Sequence, residues 1–307
     1  MLYLEELLLR AVCVLVNVAF VTLIERKALS LIQARVGPNK VGAYGALQPA
    51  ADAVKLFTNR ITVLGPINKV FYFIRPIISV VLIVLFCHFS CSFFSARNSR
   101  LRVFFLLMLL SLNVYPLLGA GWGSNRKYAI LGGLRAAAQT ISYEISLAFI
   151  VAAILLIWKR PSLSAGRLRL RLSGRIFPAL VLFLPWVISC TAELNRTPFD
   201  FAEGESELVS GFNIEYGSVK FAIIFMAEYG IIFILSLLTS YLFFFPNLRN
   251  HLGRRLLGIL FVFVVIWLRA TLPRFRYDLL MLVTWKSLLP ASLGFCQAVA
   301  ALLFNTL

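Results

Sequence analysis

Residues 219–245 read VKFAIIFMAEYGIIFILSLLTSYLFFF, and Lys220 and Glu228 are the only charged side chains in this run. About 20 predominantly apolar residues are enough for an α-helix to cross the hydrocarbon core of a bilayer. We therefore expect this stretch to form a membrane-spanning helix. Its composition is typical of the whole chain, because 60% of the 307 residues are hydrophobic and only 14% are charged. A soluble protein of this length needs more polar surface.

Similar apolar blocks recur along the chain, separated by segments that carry charges and helix breakers. They predict an all-α polytopic membrane protein, a single membrane domain over residues 1–307 with about eight transmembrane helices. The predicted spans lie near residues 4–25, 70–94, 101–121, 136–158, 176–192, 219–245, 254–271 and 279–304. The stretch 46–60 differs, since Val54 and Phe57 share one helical face while Asp52 and Lys55 occupy another. It predicts a short amphipathic helix at the membrane interface or against a partner.

The charged residues are divided unevenly between the two sides of this predicted bundle. Thirty Lys and Arg against 13 Asp and Glu give a net charge of +17, but the bases lie in short loops between apolar blocks. Membrane topology explains them better than nucleic acid. One side receives the segments around 26–69, 122–135, 193–218 and 272–278, with nine of the acids. On the other side, the arginine-rich loop 159–175 contains no acid and is read as solvated or facing lipid headgroups.

The rare residues argue against a metal or cluster held by this chain alone. The five cysteines form no C-x-x-C pair, and His88 and His251 are the only histidines. Two histidines are too few for a bis-histidine haem or a histidine-rich metal site. We therefore predict no metal ligands and no catalytic residues.

Six of the 13 acids crowd into the loop 193–218, which begins ELNRTPFDFAEGESELVSGFNIE. Such a run is often a solvated acidic loop. Here, however, Phe199, Phe201, Leu208 and Phe212 lie between the acids, which favours a folded and partly buried loop. Packed carboxylates repel one another and share protons. The loop is thus suited to proton storage or charge coupling.

Two more acids stand inside predicted spans. Glu144 lies in AQTISYEISLA and Glu228 in FMAEYGI, each beside a tyrosine. A charged acid at the centre of a bilayer costs about 2.5–3.5 kcal/mol or more, so it must be paired, hydrated or protonated. Either an interhelical hydrogen bond or a proton or ion path would account for them.

Bases beside aromatic residues supply the remaining candidates on the acidic side. Arg26 and Arg35 follow the first span, and Arg274 precedes the last. Each could simply flank the membrane. Together with Arg135 and Arg196, they could instead line a polar pocket that pairs with the acidic loop.

These segments resemble chain 1 of respiratory complex I, the proton-pumping NADH:ubiquinone oxidoreductase, in its mitochondrial form. The similar motifs occur in the family's order over nearly the whole chain, and the longest is highly specific. They are ERK at 25–27, RVGPNKVG at 35–42, DAVKLF at 52–57, LGGLRAAAQTISYE at 131–144, ELNRTPFDFAEGESELVSGFNIEY at 193–216, MAEY at 226–229 and LPRFRYD at 272–278.

The resemblance implies a heel subunit that joins the membrane arm to the peripheral arm and encloses most of a ubiquinone tunnel. Ubiquinone would be the substrate, no cofactor would be bound covalently, and FMN and iron–sulfur clusters would lie on partner subunits. Implied partners are other membrane-arm subunits, the quinone-site subunits of the peripheral arm, accessory subunits and membrane lipids, with cardiolipin as a candidate; nucleic acid is excluded. The implied location is the mitochondrial inner membrane, with the motif-bearing loops facing the matrix.

The same resemblance assigns three groups of residues. The tunnel or its mouth would include Arg26, Arg35, Asp52, Arg135 and Arg274. The acidic coupling loop would contain Asp200, Glu203, Glu205, Glu207 and Glu215. Buried carboxylates at Glu144, Glu193 and Glu228 would continue as a proton path toward the other membrane subunits.

Some features depart from the family pattern, and other functions stay open. The loop 159–175 and the segment 97–102 are unusually basic, and Lys220 follows the acidic loop closely enough to perturb the proton affinities of its carboxylates. One alternative is a stand-alone proton-coupled secondary transporter, although the two halves show no internal similarity. Others are the homologous subunit of a membrane-bound hydrogenase-type complex, or a scaffold subunit without tunnel or coupling roles.

Overall fold

A computed structural model describes residues 2–60, 67–92, 102–157, 173–202, 204, 211–213, 215–243 and 251–304. All regular secondary structure in these ranges is helical, which confirms the all-α prediction. Within them, five stretches are long and apolar enough to cross a membrane: Lys69–Phe86, Phe104–Ser124, Lys127–Ile157, Ser218–Leu242 and Tyr277–Ala301. These stretches confirm the prediction of a polytopic membrane protein.

The described ranges contain eleven α-helices. They are α1 Leu2–Ile32, α2 Gln48–Thr58, α3 Lys69–Ser92, α4 Arg102–Leu112, α5 Val114–Ser124, α6 Lys127–Ile157, α7 Ser173–Glu193, α8 Ser218–Leu242, α9 His251–Thr271, α10 Tyr277–Val283 and α11 Leu289–Phe304. Short 3₁₀ turns lie at Ala43–Gly45 and Gly211–Asn213, and a π-helical turn at Thr284–Leu288 joins α10 to α11.

Three spans differ from the sequence prediction. The first, predicted over 4–25, continues to Ile32, so Arg26 lies within α1 and not after it. The third, predicted as one helix over 101–121, breaks at Asn113 between α4 and α5. Pro116 explains the break, because its ring clashes with the carbonyl four residues earlier and it donates no backbone hydrogen bond.

The fourth span begins at Lys127, nine residues before the predicted start at 136. Reading 127–135 as a loop was therefore wrong. Its residues are mostly apolar, and the helix continues through Gly132 and Gly133, where the absence of side chains lets neighbouring backbone pack closely.

The largest core lies where the spans meet. Trp186 on α7 and Leu235 on α8 are fully buried with Leu147, Ile150 and Ile154 on α6. Helix α6 contacts α5, α7 and α11, while α8 contacts α1, α3 and α9. In contrast, α2 has no buried residue. Its apolar side chains Val54 and Phe57 are exposed in the isolated chain.

Helices α5 and α6 approach each other closely at two glycines. A Cβ atom on Gly121 would lie 2.9 Å from the backbone oxygen of Ala129 and 3.5 Å from the Cα of Gly133. The backbones can therefore come this near only because neither residue carries a side chain. The close approach fixes the beginning of α6, which carries Arg135.

Replacing Gly121 by Ala is expected to destabilise the chain by about 1–3 kcal/mol, because backbone atoms must move apart to admit the methyl group. The control is Gly119→Ala in the same helix, where an added Cβ meets nothing within 4 Å. There the better helix propensity of Ala should leave stability unchanged or slightly raised. Thermal denaturation of both variants in the assembled protein tests the difference. Equal midpoints would show that the contact is not tight.

Candidate functional site

A buried ionic cluster joins α1, the loop after α7 and α9. Glu25 is buried, and its Oε1 accepts a hydrogen bond from Nη1 of Arg269. The Nη1 atom of Arg196, also buried, lies 3.8 Å from the same oxygen. The Arg196 guanidinium stands 4.4 Å from the centroid of the Tyr229 ring on α8. One carboxylate thus holds two cations from distant parts of the sequence, which fixes the loop 194–202 against the bundle.

A second ion pair ties the same loop to the segment before α10. Arg274 Nη2 lies 3.3 Å from Asp200 Oδ2, and both side chains are largely buried. Next to this pair, the Phe275 amide donates to the Pro198 carbonyl at 3.1 Å, and the rings of Phe199 and Phe275 stack with centroids 5.7 Å apart. The structure therefore brings together two of the predicted site residues, Asp200 and Arg274.

The pair formed by Arg26 and Asp52 is more open to its surroundings. Arg26 Nη1 donates to Asp52 Oδ2 at 2.6 Å, and Gln48 Nε2 donates to Asp52 Oδ1 at 2.9 Å. Arg26 is 54% exposed and Asp52 36%. This pair links α1 to α2, the amphipathic helix with its exposed apolar side chains. A ligand could reach these two polar groups from outside.

Arg35 and Arg135 make different contacts. The Arg35 side chain is exposed, and its backbone N–H donates to the Ser30 carbonyl at 2.9 Å just after α1 ends. Arg135 is partly buried on α6, and its guanidinium lies 5.9 Å from the centroid of the Tyr277 ring. It thus stands near the segment that carries Arg274.

The described end of the acidic loop packs against α3. Glu215 Oε1 accepts a hydrogen bond from Arg126 Nε at 2.9 Å, and its backbone oxygen accepts one from the Tyr72 hydroxyl at 2.8 Å. The rings of Tyr72 and Tyr216 stack with centroids 4.6 Å apart. Burial raises the pKa of Tyr216 to about 12, so its phenol stays protonated at physiological pH. The other three loop glutamates, Glu203, Glu205 and Glu207, lie outside the described residues.

Two of the predicted buried carboxylates line a single small cavity. Its volume is about 30 Å³, and its walls include Glu193 at the end of α7 and Glu228 on α8. Glu193 is 1% exposed, and neither of its carboxylate oxygens has a hydrogen-bond partner among the described residues. Asn195 Oδ1, which belongs to the same wall, is likewise buried without one. Buried polar atoms are normally satisfied by protein or by ordered water, so these oxygens are suited to hold water.

Glu144 stands apart from this cavity but close to Glu193. It lies on α6 and is partly buried, and its Oε1 has no hydrogen-bond partner within the described ranges. Nearby, Gln139 Nε2 donates to the carbonyls of Ala192 and Phe199 at 2.8 Å each. Helix α6 thereby holds both ends of the turn that follows Glu193.

A family model for NADH dehydrogenase matches residues 5–300 of this chain. The chain belongs to the NADH dehydrogenase family. Several animal proteins named NADH-ubiquinone oxidoreductase chain 1 are similar over almost their full length. The protein of the mosquito Aedes aegypti is 48% identical over 295 residues, which cover 94% of this chain and 92% of the relative. Those of the squid Heterololigo bleekeri and the sloth Bradypus variegatus are 46% and 45% identical, each over 92% of this chain and 91% of the relative.

Within this member of the NADH dehydrogenase family, Arg75 is a candidate that sequence reasoning missed. It lies on α3, is 4% exposed and lines the cavity of Glu193 and Glu228. An ionisable residue inside an apolar block is itself a signal of function. That signal was available at the second predicted span, but Arg75 stands only a few residues from the start of the block. It therefore resembled an ordinary flanking base.

Lys220, which the sequence singles out, is buried among aromatic side chains. Its Nζ lies 3.8 Å from the centroid of the Tyr72 ring and 3.6 Å from that of Phe73. No acceptor among the described residues takes a hydrogen bond from it. Cation–π contacts with these two rings stabilise the buried ammonium group. The effect of Lys220 on the carboxylates of the acidic loop stays a prediction.

Proposed function

We propose that this chain is the heel subunit of the membrane arm of a proton-pumping NADH:ubiquinone oxidoreductase. In this proposal it forms much of the tunnel that binds ubiquinone and couples quinone reduction to proton translocation. Its partners are the other membrane-arm subunits, the quinone-site subunits of the peripheral arm, which carry FMN and iron–sulfur clusters, and accessory subunits with membrane lipids such as cardiolipin. The multi-pass chain resides in the mitochondrial inner membrane. The names of its relatives support the assignment as a subunit of NADH-ubiquinone oxidoreductase.

One observation carries the coupling part of the proposal. Glu193 and Glu228 come from different helices, are separated by a long stretch of sequence and yet line one cavity inside the bundle. The acidic loop starts directly after Glu193 and packs against the same region through Glu215 and Tyr72. Carboxylates so deep in an apolar bundle are costly and mark proton or ion paths. This arrangement supports a physical connection between the partly buried acidic loop and the acids inside the bundle.

The partly exposed ion pairs suit the polar headgroup of a quinone. Arg26 and Asp52 provide a donor and an acceptor beside the exposed apolar side chains Val54 and Phe57 of α2. An isoprenoid tail needs such apolar surface, while the quinone carbonyls need hydrogen-bond donors. We assign the tunnel or its mouth to this region together with Arg35, Arg135 and Arg274.

Coupling follows from the charge balance of the reaction. Reducing a quinone to a quinol consumes protons as well as electrons, and the electrons arrive from partner subunits. Protons drawn from groups near Asp200 and Glu215 leave negative charge in the acidic loop. That charge raises the proton affinity of neighbouring carboxylates. Glu144, Glu193 and Glu228 would then exchange protons with the next membrane subunit.

Photolabelling of the intact complex with a light-activated ubiquinone analogue tests the tunnel assignment. We expect the label near Arg26, near Asp52 or within 193–215, and we expect excess unlabelled quinone to abolish it. Peptide mapping of this chain gives the positions. Competed labelling confined to segments remote from residues 193–215 and from every assigned tunnel residue, including Arg35, Arg135 and Arg274, would overturn the tunnel assignment.

A separate measurement distinguishes this proposal from a stand-alone transporter. The chain should co-purify with subunits that contain flavin and iron–sulfur clusters. Purified alone and placed in liposomes, it should not carry protons across the membrane. Proton transport by the single chain would contradict its role as a subunit.

A further inference from the structure

Arg75 occupies the junction between the acidic loop and the carboxylate cavity. Its Nε donates to the Pro116 carbonyl on α5 at 3.1 Å, and its Nη1 donates to Asn213 Oδ1 at 3.3 Å. With a residue exposure of 4%, the guanidinium is removed from bulk solvent. A buried charge of this kind must be compensated by hydrogen bonds and by nearby opposite charge.

On one side, the Arg75 side chain contacts Phe212 and Tyr216 in the segment that ends the acidic loop. Its guanidinium carbon lies 4.6 Å from the centroid of the Phe212 ring and 4.9 Å from that of Tyr216. Tyr216 stacks in turn on Tyr72, whose hydroxyl donates to the backbone of Glu215. Any movement of residues 211–216 therefore acts on Arg75 through both a hydrogen bond and ring contacts.

On its other side, Arg75 faces the membrane-embedded acids. It lines the same cavity of about 30 Å³ as Glu193 and Glu228. One water needs roughly 10–15 Å³ measured in this way, so the cavity has room for about two. The oxygens of Glu193 that lack protein partners in the described ranges are suited to bind such water. One cation and two carboxylates thus line the same small cavity.

We propose that Arg75 is a positioning residue for proton translocation, which holds a fixed positive charge opposite Glu193 and Glu228 and transmits the position of segment 211–216 to them. This inference rests on the proposed coupling function. When quinone reduction changes the charge of the acidic loop, segment 211–216 shifts and carries the guanidinium with it. The altered distance between cation and carboxylates changes how readily the acids release a proton. Arg75 itself keeps its proton throughout, because a guanidinium stays charged in proteins.

The contacts of Arg75 separate two roles that substitution can test independently. Arg75→Gln removes the charge but keeps a donor for Pro116 or Asn213. Arg75→Lys keeps the charge but loses the planar group that stacks on Phe212 and Tyr216. Lys220→Met is the matched control, since Lys220 is a buried cation that contacts the Tyr72 ring but does not line the cavity.

The experiment measures protons pumped per NADH oxidised by the intact complex in proteoliposomes. Assembly is checked by NADH oxidation with an artificial acceptor that bypasses quinone, and the KM for quinone is measured alongside. We expect Arg75→Gln to lower the number of protons pumped per NADH at least about twofold, with an unchanged KM for quinone. Arg75→Lys should retain more of this ratio than Arg75→Gln does. Lys220→Met should leave the ratio unchanged. A normal ratio in Arg75→Gln would overturn the inference. So would an equal loss in all three variants, because that outcome indicates a purely structural role.

Two further results keep the test decisive. If Arg75→Gln does not assemble, the comparison of Arg75→Lys with Lys220→Met decides. A lower pumped ratio in Arg75→Lys alone supports the inference, and equal ratios in the two variants contradict it.

Glu193→Gln measured in parallel separates the inference from the proposed function. Normal pumping in Glu193→Gln refutes coupling through the cavity altogether. Impaired pumping there, with a normal ratio in Arg75→Gln, refutes the role of Arg75 alone.

Discussion

A complex that carries Glu193→Gln is expected to oxidise NADH at the normal rate when an artificial acceptor takes the electrons. When quinone is the acceptor, the same complex should lose proton pumping. Gln has nearly the same shape as Glu, so the packing at the end of α7 should persist. The substitution removes the group that can bind and release a proton beside the cavity shared with Glu228. Proton transfer by a positioned side chain contributes roughly 100-fold to 10,000-fold to a rate. We therefore expect a loss on the order of tenfold or more.

The size of this effect follows from the isolation of Glu193. The residue is 1% exposed, and no described protein group donates a hydrogen bond to its carboxylate. Solvent cannot easily replace a proton carrier at such a depth. The substitution thus removes one of the three predicted carboxylates of the proton path.

Pumping is best measured as acidification inside proteoliposomes that contain the purified complex, with the artificial-acceptor rate as the measure of assembly. Glu5→Gln is the matched control, because it removes a carboxylate from the exposed beginning of α1. That variant should pump normally. Normal pumping by Glu193→Gln would refute the proton path through the cavity. Equal losses in both variants would indicate a general effect of charge on the complex.

The sequence alone predicts which residues of this site lie in membrane spans, but it does not predict which spans contact each other. Apolar blocks predict helices because bilayer thickness sets their length, and they placed Glu144 and Glu228 inside spans. They say nothing about which helices are neighbours. The meeting of Glu228 with Glu193 and Arg75 in one cavity therefore has no sequence signal.

Local chemistry explains the remaining differences. Pro116 signals the break between α4 and α5, although the apolar block runs through it. In the sequence, Glu25 is one acid among several bases at the end of a predicted span. In the structure it is buried between Arg196 and Arg269. Its partners come from 171 and 244 positions further along the chain, counted from 25 to 196 and from 25 to 269. Only the folded bundle brings such residues together. The roles assigned to the site residues stay predictions until they are tested.

Replacing Glu25 by Gln should destabilise the assembled complex by about 2–3 kcal/mol. Removing one partner of a fully buried ion pair typically costs about 3–5 kcal/mol, but here the Arg269 side chain is 34% exposed, so solvent partly screens its charge. Without the carboxylate, the Arg196 and Arg269 guanidinium groups repel each other. The thermal midpoint of the purified complex and its yield measure the loss. Asp52→Asn is the control, since the exposed Arg26–Asp52 pair should contribute only about 0–1 kcal/mol.

A double substitution shows whether charge is the cause. Removing Arg269 together with Glu25, as in Glu25→Gln with Arg269→Met, leaves a single cation at the cluster. If repulsion between the two guanidinium charges dominates, the double variant should be more stable than Glu25→Gln alone, because the second change relieves what the first created. Additive losses would instead mean that packing of the Arg269 side chain against its neighbours matters most. The cluster fixes the loop that begins at Leu194, so the first outcome would tie the stability of the bundle to the geometry of the coupling site.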